Sequence, residues 1–205
     1  MHIPGFGVRP PDNTFVLPFH PFRGLSFPKC CEPGATPLLQ CQREVYLEGI
    51  QARRFRNPWD IDQKCFPPGI SYSRLELAAY IRRRGSLTLV AESADARREA
   101  AGPAILAFIV AEVDRRGIGH IITIDVVPDA RRFGIGSSLL DAAEVGLRAA
   151  QCRSVRLETA VDNLGALAFY KRRGYFLETT VSHYYSNGVD ALILRKDLLP
   201  QAKSR

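Results

Sequence analysis

The 205-residue chain has little sulfur and few imidazoles: one methionine, five cysteines (Cys30, Cys31, Cys41, Cys65 and Cys152) and four histidines. An odd number of cysteines, without C-x-x-C spacing and without a histidine pair beside them, makes neither a disulfide framework nor a zinc site. Free thiols and no metal are expected. Long apolar runs are missing too. The longest, Ala104 to Ala111, has the length of a buried strand and falls well short of the roughly 20 residues of a membrane span. The first residues, M-H-I-P-G-F-G-V-R-P-P-D, have neither the basic start nor the apolar stretch of a secretory signal, so a cytoplasmic location and no membrane partner are expected. Negative charge is the minority, 21 acidic against 28 basic residues for a formal +7. Arginines cluster at Arg53-Arg54, Arg82-Arg83-Arg84, Arg115-Arg116, Arg131-Arg132 and Arg172-Arg173. Such a surface suits nucleic acid, an acidic partner or a phosphorylated cofactor, and charge alone does not choose.

What is present is enough apolar side chain, 46% of residues, to fill one core. Residues 1–40 are rich in proline and aromatics and read as a flexible extension, either docked or disordered. The rest, 41–199, reads as one α/β domain, with a short tail at 200–205. A strand or helical entry is expected at Val45–Ile50 and a short helix at Pro58–Cys65. The F-P-P-G run at 66–69 then breaks the chain. Ser73 with Glu76 forms a capping box for a helix ending before Gly85. Strands follow at Leu87–Ala91, Pro103–Val113 and His120–Val127, a meander. Leu139, Leu140, Ala143, Leu147 and Ala150 recur at helical spacing and give an amphipathic helix from Ser137 to about Cys152. A strand at Val155–Ala160, a helix at Leu164–Arg173, and strands at Tyr175–Tyr185 and Ala191–Lys196 complete the order, with Asn187-Gly188 marking a hairpin.

The most informative run is Thr123 to Leu140, T-I-D-V-V-P-D-A-R-R-F-G-I-G-S-S-L-L. A strand ends at a proline and a glycine-containing loop opens a helix. Gly134 and Gly136 let the backbone approach a ligand, N–H groups at the helix start form an anion nest, and Arg131 and Arg132 add charge. No Gly-Lys-Ser/Thr is present for a Walker loop, and the third glycine of a dinucleotide fingerprint falls on Leu139. An R-x-x-G-x-G phosphate cradle remains, and the competing reading is an ordinary helix start with solvated arginines.

Downstream, Asn163-Leu164-Gly165-Ala166-Leu167-Ala168-Phe169-Tyr170-Lys171-Arg172-Arg173-Gly174-Tyr175 follows the next strand. Together the two runs resemble the GCN5-related N-acetyltransferases (GNAT), in particular the ribosomal-protein-alanine (RimI-like) enzymes, over roughly Val45–Leu198. The resemblance implies a GNAT fold: a mixed, mostly antiparallel central sheet with flanking helices and splayed central strands. It implies acetyl-CoA as donor, its pyrophosphate held by Arg131, Arg132, Phe133, Gly134, Ile135, Gly136, Ser137 and Ser138, and its pantetheine arm paired with the backbone of Ile124, Val126 and Val127. By the same resemblance, Asn163 and Tyr170 are also expected to line the coenzyme. It further implies Glu158 as general base, Tyr170 as general acid at the leaving sulfur, and an oxyanion donor at the main chain of Val126 or Val127. The resemblance also places His183, Tyr184 and Tyr185 where they are expected to shape the acceptor slot.

The chemistry asks for such a pair independently of any family. An α-amine has a reference pKa of about 7.7–8.0 and must lose a proton to attack a thioester, and the leaving thiolate, near about 8.5, must gain one. Plainer readings stand beside each role. Glu158 is also explained as a surface strand residue, Tyr170 as core, the 183–185 run as cross-strand packing, and His120 as a structural strand residue. The expected function is acetyl transfer within a ternary complex to the α-amino group of a protein or peptide, a ribosomal protein being one candidate. Alternatives are a small-molecule amine acetyltransferase (polyamine, antibiotic or amino acid) and a non-catalytic acyl-CoA-binding regulator. No direct nucleic-acid partner is expected, and both monomer and dimer remain open.

Overall fold

A computed structural model describes residues 48–49, 56–92, 105–114 and 116–199. The elements are β1 (Glu48–Gly49), α1 (Arg56–Cys65), α2 (Arg74–Arg82), β2 (Ser86–Glu92), β3 (Ile105–Val113), β4 (Ile118–Val126), α3 (Ile135–Ala149), β5 (Ser154–Ala160), α4 (Leu164–Arg172), β6 (Phe176–Val181) and β7 (Ala191–Asp197). The expected 1–40 extension, the 200–205 tail, and most of the element expected at Val45–Ile50 lie outside the described residues.

Local chemistry sets the helix starts. Ser73 and Glu76 exchange both capping-box bonds, Glu76 N–H to Ser73 Oγ at 3.3 Å and Ser73 N–H to Glu76 Oε2 at 2.9 Å, satisfying two donors that the first turn leaves orphaned. Asn163 caps α4 by accepting the Ala166 N–H at 3.1 Å. Gly134 caps α3 with φ 82°, a left-handed conformation that glycine adopts without penalty. The amphipathic helix ends at Ala149, short of the expected Cys152, because Gln151 turns left-handed (φ 62°) and the Cys152 N–H closes back on Leu147 O at 2.9 Å.

The strands form one sheet in the order β1-β2-β3-β4-β5-β7-β6. Every neighbouring pair is antiparallel except β4–β5. The last strand before the hairpin is shorter than its apolar pattern predicts. β6 stops at Val181, since His183 takes φ 53° and gives its N–H to Asp190 Oδ1 at 2.8 Å. The turn at Asn187-Gly188 is present, closed by Tyr185 N–H to Val189 O and Gly188 N–H to Tyr185 O, but it tips a longer loop.

Each face of the sheet carries its own core. One face packs Leu139, Leu140, Ala143 and Leu147 of α3 on Ile109, Ala111, Ile121 and Leu157. The other packs Ile61 of α1 and Leu77 of α2 on Val90, Phe108, Val110 and Ile122. Burying each such side chain contributes about 1.5–3 kcal/mol. Gly119 matters to the first face: a Cβ there would stand 2.7 Å from Leu147 Cδ1, so the bare strand lets α3 lie flat on β4.

Two features of β4 open the sheet. Its parallel pairing with β5 covers only Ile118–His120 against Ser154–Arg156. Beyond that the strands part. A register shift on its other edge pairs Val110 with Thr123 and Ala111 with Ile121, leaving Ile122 as an extra residue that bends the strand. The splayed, mixed, mostly antiparallel sheet expected from the sequence is the one observed.

Candidate active site

The gap between β4 and β5 is a cleft of about 830 Å³ that continues from the α3–α4 side to the loops around α1 and β6–β7. Past His120 and Arg156 the ladder between the strands stops, so the cleft-facing backbone of β4 and β5 presents hydrogen-bonding groups to whatever enters. A ligand with alternating amides can complete the interrupted ladder.

At one mouth lies the glycine loop. Arg132 (φ 67°) and Gly134 (φ 82°) are both left-handed, and α3 begins immediately after them. Its first N–H groups lack intrahelical acceptors and carry the positive end of the helix dipole. Arg131 bends back and donates from Nε to Val126 O at 2.9 Å. Arg131, Arg132, Gly134, Gly136, Ser137 and Asn163 line this part of the cleft, with Ile124 and Val126 on its strand wall. A Cβ on Gly136 would meet Val126 Cγ2 at 3.5 Å, an ordinary contact, so helix and strand run close together here without requiring glycine.

The side chains of four expected residues do not line the cleft. That of Ile135 is buried in the core and that of Phe133 is exposed. The Ser138 hydroxyl turns onto Gly134 O. Val127 packs into both cores and spends its N–H on Leu106 O at 3.0 Å. Val127 therefore is not the oxyanion donor, and Val126 is the remaining candidate of the two.

In the middle of the cleft, Tyr170 is buried on α4, its ring edge-on to Phe169 and Tyr175 with centroids 5.1 and 5.4 Å apart. Burial, reinforced by the charges of Asp125 and Tyr185, holds its hydroxyl well above the ordinary phenol range. It is a neutral proton donor at any physiological pH. Glu158 points from β5 to the other side of the sheet. Its Oε2 lies 2.6 Å from His120 Nε2 on β4.

The other mouth is aromatic. Tyr72, Tyr184 and Tyr185 line it together with Phe66, Pro67 and Ile70, and Tyr80 stacks edge-on against Tyr72 at 5.6 Å. Burial, then the Glu158 charge, pushes the Tyr184 hydroxyl up to about 12. The loops are tied over this mouth by the Ser186 hydroxyl donating to Gly69 O at 3.0 Å. His183, the third residue expected in the acceptor slot, is exposed on the loop beside Asp190 and does not line the cleft.

Beneath β4 sits a buried polar group that sequence reasoning missed. Asp62 of α1 and Asp125 of β4 are both almost fully buried. Asp62 Oδ2 accepts from Tyr72 N–H and Gln63 Nε2, and Asp125 Oδ2 accepts from Thr123 Oγ1 at 2.8 Å. Burial first, and the charge of Asp62 next, raise Asp125 to about 8, while burial raises Asp62 to about 6. Nearby, the free thiol of Cys65 donates to Val126 O. The only signal in the sequence was an aspartate among the apolar residues of a strand. Among the described residues no group of three or more His, Cys, Asp or Glu is arranged to hold a metal.

A sheet parted at a parallel strand pair, with an anion cradle at one mouth and a carboxylate with phenols at the other, defines an acyl-coenzyme-binding transferase fold. Residues 55–175 match the acetyltransferase (GNAT) family, and the chain belongs to that family. Among curated relatives, an uncharacterized N-acetyltransferase of Methanocaldococcus jannaschii is 37% identical over 108 residues, covering 47% of this chain and 69% of that protein. The N-alpha-acetyltransferase MAK3 of Arabidopsis thaliana is 37% identical over 91 residues, 42% of this chain and 48% of that one. The chain thus spans only about half the length of the second. The crystal structure of the ribosomal-protein-S18-alanine N-acetyltransferase from Escherichia coli superposes with a TM-score of 0.66 at 19% identity, covering 79% of this chain and 99% of the other, a likeness of fold.

Proposed function

We propose that this protein transfers the acetyl group of acetyl-CoA directly to the α-amino group of a protein or peptide N-terminus, in the cytoplasm. The observation that carries the reading is the two-mouthed cleft. Coenzyme and acceptor enter from opposite ends and meet where β4 and β5 part, so no covalent acyl-enzyme is needed. The relatives named N-alpha-acetyltransferase support the acceptor class. A ribosomal protein is one member of that class.

Acetyl-CoA fits the residues present. Its pyrophosphate suits Arg131, Arg132 and the N–H groups after Gly134, and its amide-bearing arm suits the free edge of β4 at Ile124–Val126. The coenzyme supplies an activated thioester. Glu158 takes a proton from the amine as nitrogen attacks, a backbone donor on β4 steadies the oxyanion, and Tyr170 returns a proton to sulfur as the C–S bond breaks. The aromatic mouth, tied by Ser186 and Gly69, admits an extended chain end first.

The test is incubation of the purified protein with acetyl-CoA and a panel of peptides with free or blocked amino termini, alongside small amines, read by mass spectrometry. One added acetyl group on free peptide amino termini is expected. Acetylation of small amines alone overturns the acceptor assignment.

A further inference from the structure

Asp62 is fully buried on α1, beside Ile61, which packs on the sheet. An apolar residue there would avoid the desolvation that a carboxylate suffers. Its Oδ1 has no hydrogen-bond partner, and the charge of Asp62 is felt by Asp125 on β4. Such a residue marks a place where position outweighs packing. The other oxygen shows what is positioned: Oδ2 accepts the Tyr72 N–H at 2.9 Å and Gln63 Nε2 at 3.0 Å. The same Gln63 Nε2 donates to Tyr72 O at 2.9 Å. Both backbone groups of Tyr72 are thus held by adjacent residues of α1, nine and ten positions earlier in the chain.

The segment between them turns back on itself. Pro67 O accepts the N–H groups of Ile70 and Ser71 at 3.1 Å each, and Gly69 is left-handed at φ 91°. Tyr72 then reaches β4, where its hydroxyl donates to Ile122 O at 3.2 Å. Ile122 is the extra residue of the β4 register shift, and a bulged residue leaves backbone groups outside the ladder for a side chain to satisfy. Burial holds the Tyr72 hydroxyl well above the ordinary phenol range, so it remains a donor to that carbonyl. The ring stacks edge-on against Tyr80 and lines the aromatic mouth.

We propose that Asp62 and Gln63 are positioning residues for acceptor binding: they clip Tyr72 between α1 and the β4 bulge, and so hold the α1–α2 wall of the aromatic mouth in the shape that receives the acceptor's first residues. This rests on the transfer reaction proposed above and adds to it two residues that do not themselves line the cleft.

The wall is held differently at its two ends. At the outer end, Gly69 O accepts the Ser186 hydroxyl in an exposed bond between two loops, open to competition from water. At the inner end the anchor is a fully buried carboxylate. The outer end therefore yields as a chain end threads in, while the inner end keeps the Tyr72 ring against β4. Without the clip, loop and ring must be ordered each time an acceptor binds, which weakens binding and leaves the bound chemistry as it was. Glu158 and Tyr170, which carry the protons, stand on β5 and α4, outside the clip. Its loss falls on the acceptor KM and spares kcat.

The test compares the full-length wild type with Asp62→Leu, Asp62→Asn and Gln63→Ala. Asparagine keeps an oxygen that accepts both N–H groups, leucine keeps the volume without an acceptor, and Gln63 is exposed, so truncating it leaves the core intact. In the first arm, NMR follows hydrogen exchange of the Tyr72 amide in the free protein. Exchange should be about tenfold or more faster in Asp62→Leu and near wild type in Asp62→Asn. In the second, steady-state kinetics vary a peptide with a free amino terminus at saturating acetyl-CoA. The peptide KM should rise about tenfold in Asp62→Leu and about threefold in Gln63→Ala, with kcat and acetyl-CoA affinity within about twofold of wild type, and Asp62→Asn should restore it. A fall in kcat at unchanged KM overturns the proposal, as does an asparagine variant as impaired as leucine or a Tyr72 amide indifferent to Asp62→Leu. Should Asp62→Leu fail to fold, Gln63→Ala decides by the same split between KM and kcat. A wild type that acetylates no amine overturns the proposed function, while the Tyr72 exchange separately decides the clip.

Discussion

Replacing Asp125 by Asn should make the protein more stable at alkaline pH while leaving it nearly unchanged near pH 4. Asp125 is 1% exposed, with Oδ1 unpartnered and Asp62 as its charged neighbour. Burial lifts it from 3.8 to about 8. A raised acid pKa means that the folded state binds more protons than the unfolded chain between those two values. Stability contributed by the neutral carboxyl is therefore complete below pH 3.8 and lost as pH rises toward 8. Four units at about 1.36 kcal/mol each place the loss at about 4–6 kcal/mol. Asparagine keeps the shape and an oxygen for the Thr123 hydroxyl but never ionises. Urea unfolding at pH 4 and pH 9, followed by far-ultraviolet circular dichroism, should show wild type and variant within about 1 kcal/mol at the acid end and several kcal/mol apart at the alkaline end. Equal destabilisation at both pH values would refute the reasoning and return Asp125 to the role of an ionised, paired carboxylate.

Glu158→Gln and Tyr170→Phe should each lower kcat about a hundredfold or more while calorimetry finds acetyl-CoA binding intact. Gly134→Val should weaken coenzyme binding, since φ 82° is strained for a branched residue and nothing within 4 Å opposes a Cβ. The effect is then conformational, and a binding isotherm against acetyl-CoA measures it. Leu139→Ala, at a fully buried position between α3 and the sheet, should cost about 2–5 kcal/mol in chemical denaturation with kcat little changed.

Much of this protein was legible where the deciding chemistry is local. The Ser73–Glu76 capping box, the glycine-opened start of α3 and the Asn187-Gly188 turn each lie within a few residues, and each is where the pattern placed it. The ends of elements were less legible. Gln151 and His183 adopt left-handed backbone that no propensity assigns to them, so α3 and β6 stop early. The site divides along the same line. The glycine-loop mouth comes mostly from one stretch of chain, Ile124 to Ser137, and a single stretch can carry a signature. The aromatic mouth is assembled from the end of α1, the α1–α2 loop, β5 and the β6–β7 loop, and its chemistry lies in pairs that only the sheet creates. His120 read as structural because its partner is 38 residues away. Asp125 read as strand because nothing in the sequence says that Asp62 will face it. The parting of β4 and β5 explains both cases: it removes the hydrogen-bond ladder that would have tied the strands together. A side-chain bridge then forms at the apex where the ladder ends, and beyond it the gap widens into the cleft.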